Sequence, residues 1–418
     1  MPGPLSHIKV LEMTLAIQGP AAGVYLRDMG ADVIKVEPPL GDASRYSRGI
    51  NNDLPLEAPG SQFVSMNRGK KSVCLDAHTP LGLEAVKAML KEADIFLSNY
   101  RAPALEKMGL DYESVRSLNP KLIYATASGF GPIGPDKNKP MLDGAAIARG
   151  GLASVTGMRG DGPIIPGAMI ADGAGGMQLS LGIVTALAAR EHTGLGQWVQ
   201  TSALGAQLSI QSWELCHVWM TGKQLKRSGA HYTNVYAPYG IYETADGGHF
   251  LLAVAMTNEA WDAFWVFADN PIEAINPTWD TPSKRFGAGA TEEDAMLIQE
   301  KMRTAFKNRT TAEWEEFLAT QHEMIYQRIQ NYDEVRTDAQ ILANSYVETI
   351  EVKNIGETSV VGNLISFSGT PASIKGPPPD LGADTESVLI ELGFTDEEIK
   401  SLIDHADSER RRELAKRS

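Results

Sequence analysis

Cysteine is almost absent. Cys74 and Cys216 are the two in 418 residues, both in apolar contexts without metal-ligand spacing, which excludes a disulfide scaffold and a thiolate metal site. They read as small hydrophobes, and the expected compartment is cytoplasmic. The opening MPGPLSHIKVLEMT lacks the basic segment and apolar stretch of a secretory signal. No apolar run approaches the ~20 residues that span a bilayer. The eight histidines show no HExxH or other paired spacing, so no metal is expected. His217 and His249 lie in apolar runs and read as core or surface residues. A GxSxG elbow and a Walker loop are both missing. Positive charge is short as well. A net charge of −14 argues against nucleic-acid or anionic-membrane partners, while leaving room for a local basic pocket that holds a small phosphorylated ligand. Repeats and low-complexity segments do not occur.

What is present is a long alternation of strands and helices. The strand IKVLEMT, the helix GPAAGVYLRDMG and the strand ADVIKVEP make a βαβ unit. KSVCLD (strand), PLGLEAVKAMLKEA (helix with Pro80 near its start) and DIFLSNY (strand) continue it. Then come two short helices, APALEKMGL and DYESVRSLNP, and the strand KLIYATASGF. GFGPIGPDKNKP is a Gly/Pro loop, without the spacing of a dinucleotide fingerprint. GAGGMQLSLGIVTALAARE reads as a helix apolar almost all round and hence buried, and GQWVQTSAL as a last strand. The expected fold is α/β, with an open Rossmann-like parallel sheet and ligands at the carboxyl ends of its strands.

Hydrophobic content of 43% and charged content of 22% fit a soluble globular chain of this length with two domains. Composition shifts near residue 222. Two apolar runs around Asp246-Gly247-Gly248 suggest a hairpin. TNEAWDAFWVFA, TEEDAMLIQEKMRTAFKN and TAEWEEFLATQ read as helices, the first and last with threonine caps. The expected organisation is a large domain over residues 1–222, a smaller α+β domain over 223–345, and a segment 346–418 that returns to the large domain and ends in a capped amphipathic helix with a charged tail.

Asp172 is the sole charged residue between Asp161 and Arg190. Two readings fit it. It serves as a helix N-cap, satisfying the N–H groups of Ala174 or Gly175, or it is an exposed nucleophile. Gly173, Gly175 and Gly176 cost up to ~1 kcal/mol each in a helix relative to alanine, which points to something approaching the backbone closely. Helix N–H groups there could also steady a developing oxyanion. NRGKKS places Arg68, Lys70 and Lys71 just before a strand, either as a solvated turn or as a phosphate grip. NYRAPALEKMG adds Asn99, Arg101, Lys107 and Met108, and Lys137 and Lys139 lie in the Gly/Pro loop.

Together these stretches resemble the family III CoA-transferases (the CaiB/BaiF family) over nearly the whole chain. The segments IKVLEMTLAIQGPAAGVYLRDMGADVIKVEPPLGDASR, MNRGKKSVCLD, SNYRAPALEKMGLDYESVRSLNPKLIYATASGFGPIGP, MIADGAGGMQLSLGIVTAL, TGLGQWVQTSAL and DLGADTESVLIELGFTDEEI follow in family order. The resemblance implies that residues 1–222 bind CoA and that two chains interlock as a homodimer. It implies a transfer of CoA from an acyl-CoA thioester to a carboxylic acid, through aspartyl anhydride and aspartyl-CoA thioester intermediates. Coenzyme A is then substrate and product, with no tightly bound cofactor. Asp172 falls on the family's nucleophile and Asp143 on an acid lining the active site. Arg68, Lys70, Lys71, Asn99, Arg101, Lys107, Met108 and Lys139 fall in or beside the segments that hold CoA. Gln18 stands next to the family's active-site glutamine, whose column holds Ile17. The run of glycines that guards the intermediate in formyl-CoA enzymes has no counterpart between residues 222 and 260, which argues against an oxalate/formate pair. The alternatives are an acyl-CoA racemase or isomerase, or a CoA lyase, of the same superfamily. A racemase needs a histidine directly before Asp143, where this chain has Leu142. A non-catalytic CoA sensor would be expected to lack the nucleophile.

Overall fold

The structure is a computed structural model and describes residues 2–235, 238–252, 257–286 and 291–416. Six short strands, β1 (Lys9–Met13), β2 (Asp32–Glu37), β3 (Lys71–Cys74), β4 (Ile95–Ser98), β5 (Ile123–Ser128) and β6 (Trp198–Ser202), form one sheet in the order β3-β2-β1-β4-β5-β6. Each neighbouring pair is parallel, and Val10 of β1 lies opposite both Val33 and Ile95. In this order the winding reverses between β1 and β4, so the loops leaving their carboxyl ends diverge and open a crevice.

The central strands are largely apolar on both faces because helices cover both, apart from the buried charges Glu12 of β1 and Lys35 and Glu37 of β2. Helices α1 (Gln18–Asp28), α2 (Pro80–Glu92), α3 (Ala102–Met108), α4 (Tyr112–Leu118), α5 (Asp143–Arg149) and α6 (Ile170–Thr193) supply most of that cover. Pro80 sits at the start of α2, where a missing N–H costs nothing, and the Thr79 hydroxyl accepts from Gly82 N. On one face Val10, Val33, Ile95 and Ala125 pack with Leu26, Leu179 and Ile183 of α1 and α6. On the other, Leu11, Val36, Phe96 and Tyr124 pack with Val86 and Leu90 of α2. The end of the chain joins that second face. Helices Thr385–Glu391 and Asp396–Ala415 bring Val388, Leu389, Ile399 and Leu402 into it.

By length and composition alone α6 would pass as a membrane span, but half of its apolar window is buried inside the protein. The expectation that it is buried all round is corrected, since Met177 and Leu181 are exposed by 54% and 64%.

The chain divides into two compact units. One comprises Met1–Gly150, Gly167–Ile210 and Arg336–Ser418, and the other Gly151–Pro166 and Gln211–Val335. The divisions therefore fall elsewhere than at residues 222 and 345, where composition put them. Long-range contacts decide this: Arg227 donates to Ser154 O and Gly229 N to Gly157 O, which ties 151–166 into the second unit. That unit has an antiparallel sheet of Gly240–Glu243, His249–Leu252 and Tyr326–Arg328. The first two strands form a hairpin whose turn uses Gly247 at φ 85°. Residues 236–237 and 253–256, parts of the apolar runs around that turn, and 417–418 of the charged tail lie outside the described residues. Helices Asn258–Phe267, Glu292–Phe306 and Thr311–Ala319 enclose Trp261, Phe264, Trp265, Phe306 and Trp314. Thr257 caps the first of them. The cap of the last is Thr310, one residue ahead of the Thr311 that begins the TAEWEEFLATQ segment, with Glu313 closing a capping box.

Candidate functional site

Asp172 is not a cap. The cap position of α6 belongs to Met169, and Asp172 lies inside the first turn. Its backbone N–H donates to Asp143 Oδ1 at 2.9 Å, while its carboxyl oxygens have no hydrogen-bond partner among the described residues. Asp143, the first residue of α5, is itself buried. Burial pushes the Asp172 carboxyl up to about 6, and the neighbouring Asp143 charge adds to the effect. A half-buried carboxylate without partners, at a helix start, is costly to keep in a fold and useful in a reaction.

The glycines after it have two separate explanations. A Cβ on Gly175 would stand 2.4 Å from Gln18 Nε2, and one on Gly176 would stand 2.6 Å from the Ala21 Cβ. What approaches the backbone at these positions is therefore α1, including Gln18 itself. Gly173 faces open space. Gln18 is 5% exposed and its Nε2 has no hydrogen-bond partner among the described residues, so a buried N–H donor is left over on the lining it shares with Asp172.

Both residues line a cavity of about 500 Å³ with Asn99, Arg101, Gly129, Lys139 and Leu142. It lies at the carboxyl ends of β1, β4 and β5, the place where the strand order predicts a ligand. Asn99 fixes its rim. The Asn99 amide donates to Leu15 O at 2.7 Å and accepts from Leu15 N at 2.8 Å, holding the turn in which Ala16 has φ 64°. A non-glycine residue in that region is strained.

Of the residues expected in the site, Gln18, Asn99, Arg101, Lys139 and Asp172 come together around this cavity, and Asp143 backs Asp172. Lys107 and Met108 do not reach it; with Ala77 and His78 they line a separate, neighbouring cavity of about 450 Å³. Arg68, Lys70 and Lys71 lie elsewhere, neither in a solvated turn nor at the cavity. The segment precedes β3, so it starts at the amino end of the sheet. Arg68 is buried against Asp28 at 2.5 Å, and Lys70 Nζ sits 2.8 Å from Glu12 Oε2 inside the protein. Lys35 joins the second pair, bridging Glu12 and Asp42 at 3.2 Å each. Lys71 is half-exposed and pairs with Asp32 at 3.0 Å. These charges are already answered by partners distant in sequence. Sequence reading missed Tyr112, Tyr124 and Trp198, which also line the main cavity. Their meeting depends on strand pairing, which no local pattern displays.

The profile of CoA-transferase family III matches residues 5–385. The chain belongs to CoA-transferase family III. It is 29% identical over 407 residues to the human succinyl-CoA:glutarate CoA-transferase, covering 96% of this chain and 89% of that protein. It is 30% identical over 404 residues to the succinyl-CoA–D-citramalate CoA-transferase of Chloroflexus aurantiacus, covering 96% and 97%. Among solved structures, a CaiB/BaiF family protein from Brucella suis superposes with a TM-score of 0.82 at 28% identity, over 94% of this chain and all (100%) of that one. The chain is thus an enzyme of the family III CoA-transferase kind, and CoA thioesters are its substrates.

Proposed function

We propose that the enzyme transfers CoA from an acyl-CoA donor to a carboxylic acid acceptor with Asp172 as covalent nucleophile. The observation that supports this best is the unpartnered Asp172 carboxylate in the cavity at the strand-order reversal. An Asp172 oxygen attacks the thioester carbonyl carbon. The C–S bond breaks, and an aspartyl–acyl anhydride and CoA thiolate result. The thiolate then attacks Asp172 Cγ, expelling the donor carboxylate and leaving an aspartyl-CoA thioester. The acceptor carboxylate runs the same steps in reverse, restoring the aspartate, so no proton or electron is gained or lost overall.

Each acyl transfer passes through an oxyanion. Gln18 Nε2, buried, without a partner among the described residues and on the same cavity lining as Asp172, is suited to donate to it. Arg101 and Lys139 are placed to hold CoA phosphates at the mouth, and Lys107 and Met108 to hold the nucleotide end in the neighbouring cavity. The racemase alternative finds no support: Leu142 lines the cavity where its histidine would stand, and no histidine lines it among the described residues.

The test is mass spectrometry of the protein incubated with acyl-CoAs. An aspartyl hydroxamate on Asp172 and on no other acid, formed as hydroxylamine displaces CoA from the aspartyl-CoA thioester, is the expected result. Exchange of the acyl α-hydrogen with deuterated solvent, without any CoA moving to a second acid, would overturn the transferase reading.

A further inference from the structure

The cavity of Asp172 continues past the nucleophile. On the sheet face opposite α1 and α6, Tyr124, Thr126 and Ser128 of β5 lie side by side with Trp198, Gln200 and Ser202 of β6. The resulting groove runs down from the strand ends and reaches a corner of three rings. Tyr112 stacks on Trp198 at 5.3 Å between centroids, and Tyr124 meets Tyr112 and Trp198 edge-on at 5.6 and 5.7 Å. From Ser128 down to Tyr124 the strand covers roughly 13 Å at ~3.3 Å per residue.

Two features separate this corner from ordinary core. Its rings are locked: Trp198 Nε1 donates to Thr126 Oγ1 at 2.8 Å, and the Tyr124 hydroxyl donates to Leu110 O at 2.7 Å. Yet Trp198 remains 44% exposed, its surface forming cavity wall. A fixed, uncovered aromatic surface that shares one cavity with a nucleophile is a built site for a flat apolar group.

Charge decides which end of a substrate belongs there. Asp111 and Glu106 line the aromatic end of the cavity. The Asp111 carboxylate accepts from both N and Oγ of Ser114, which lowers its pKa from the ordinary value and favours the ionised form. An adenine in this corner would bring its ribose phosphate and diphosphate against those acids, and an ω-carboxylate would meet the same repulsion. The cavity's cations, Arg101, Lys137 and Lys139, have no ion pair among the described residues and suit the phosphates instead.

We propose that the groove along β5 and β6 is the acyl-arm subsite, and that the enzyme favours acyl groups ending in a neutral aromatic ring, seated on Trp198 and Tyr112 with the buried Tyr124 behind them, over short or ω-carboxylated ones. The inference rests on Asp172 being the group that accepts the acyl.

The experiment measures exchange of each acyl-CoA with its own isotopically labelled acid, which requires CoA transfer and no knowledge of the natural acceptor. The donors are acetyl-, succinyl-, phenylpropionyl- and phenylhexanoyl-CoA. An arylalkanoyl-CoA should exceed acetyl- and succinyl-CoA in kcat/KM by about tenfold or more, the scale on which an apolar pocket discriminates. Trp198→Ala should remove that advantage, bringing the arylalkanoyl-CoA down to about the kcat/KM of acetyl-CoA measured on the same variant. Trp198→Leu and Tyr112→Leu, which keep apolar bulk but remove the ring, give the same reading should the alanine variant fail to fold. Asp111→Asn keeps the helix cap and should raise exchange with succinyl-CoA. Absence of exchange with every donor overturns the transferase function itself. Exchange that is fastest with acetyl- or succinyl-CoA overturns the aromatic subsite alone, as does an acyl preference unmoved by the Trp198 and Tyr112 variants. A Trp198 variant that changes the sedimentation of the protein but not its acyl preference would likewise overturn it, giving that face to a second copy of the chain.

Discussion

Asp172 carries opposite consequences for activity and stability. On the proposed mechanism it must be ionised to attack, so transfer should fall as pH drops below about 6. An unfolded aspartate titrates near ~3.9, whereas the folded carboxyl titrates at about 6. Between these values the folded state holds the additional proton, so the enzyme loses stability as pH rises through that window. Asp172→Asn removes the charge. It should abolish transfer while raising stability at pH 7 by ~1–2 kcal/mol, the full shift of ~3 kcal/mol being discounted for partial exposure. The gain should vanish near pH 4. Chemical denaturation of both proteins at the two pH values, alongside a transfer assay, checks it; a variant less stable than the parent at pH 7 would show that the charge is welcome. Arg68 makes the opposite case. Its guanidinium reaches Asp28 at 2.5 Å and Ser65 O at 2.6 Å in the interior. Arg68→Ala should cost about 3 kcal/mol by leaving a buried charge uncompensated, with the KM for acyl-CoA unmoved. A raised KM in a protein of unchanged stability would return Arg68 to the CoA site.

At the level of elements, α6 and α1 meet through small residues. Gly176→Ala would place a Cβ 2.6 Å from the Ala21 Cβ and 3.0 Å from Gln18 O, atoms that cannot retreat without moving α1. Overpacking of this kind costs ~1–3 kcal/mol, more than the helix propensity that alanine returns. Gly173→Ala meets nothing within 4 Å and should stabilise the helix by ~0.5–1 kcal/mol. Thermal melts of the two variants should therefore shift in opposite directions, and shifts of the same sign would mean that α1 does not press on α6. This junction also marks the limit of what the sequence conveyed. The strands of the sheet, helices α1 to α4 and α6, and the lone Asp172 were all legible, because periodicity, proline, glycine and isolated charge are local signals. The reason for Gly175 and Gly176 was not, since the group that approaches them is α1, some 150 residues away in the chain. Arg68 and Lys70 misled for the same reason: Asp28 and Glu12 are distant in sequence, and a basic run looks alike whether solvated or paired. The short strands Val347–Val352 and Gly356–Val361 and the aromatic corner on β5 and β6 went unread because pairing, not composition, creates them.

For the whole molecule, the exposed apolar side chains call for a partner. In the second unit, helix Ser212–Thr221 leaves Trp213, Trp219 and Met220 exposed, the last by 81%; in the first, α6 leaves Met177 and Leu181 exposed. Soluble monomers rarely keep apolar surface of this extent open to water. A second copy of the chain is the simplest cover, because a symmetric contact pairs a surface with itself and needs no other gene product, and the family resemblance points to the same homodimer. Sedimentation equilibrium at micromolar concentration should accordingly give about twice the 45.2 kDa chain mass. Trp219→Glu with Met220→Lys should shift the protein toward monomer without unfolding it, since neither side chain is part of the aromatic core of that unit. A parent protein that sediments as a stable monomer would defeat the dimer, and would leave helix Ser212–Thr221 as a docking face for some other partner.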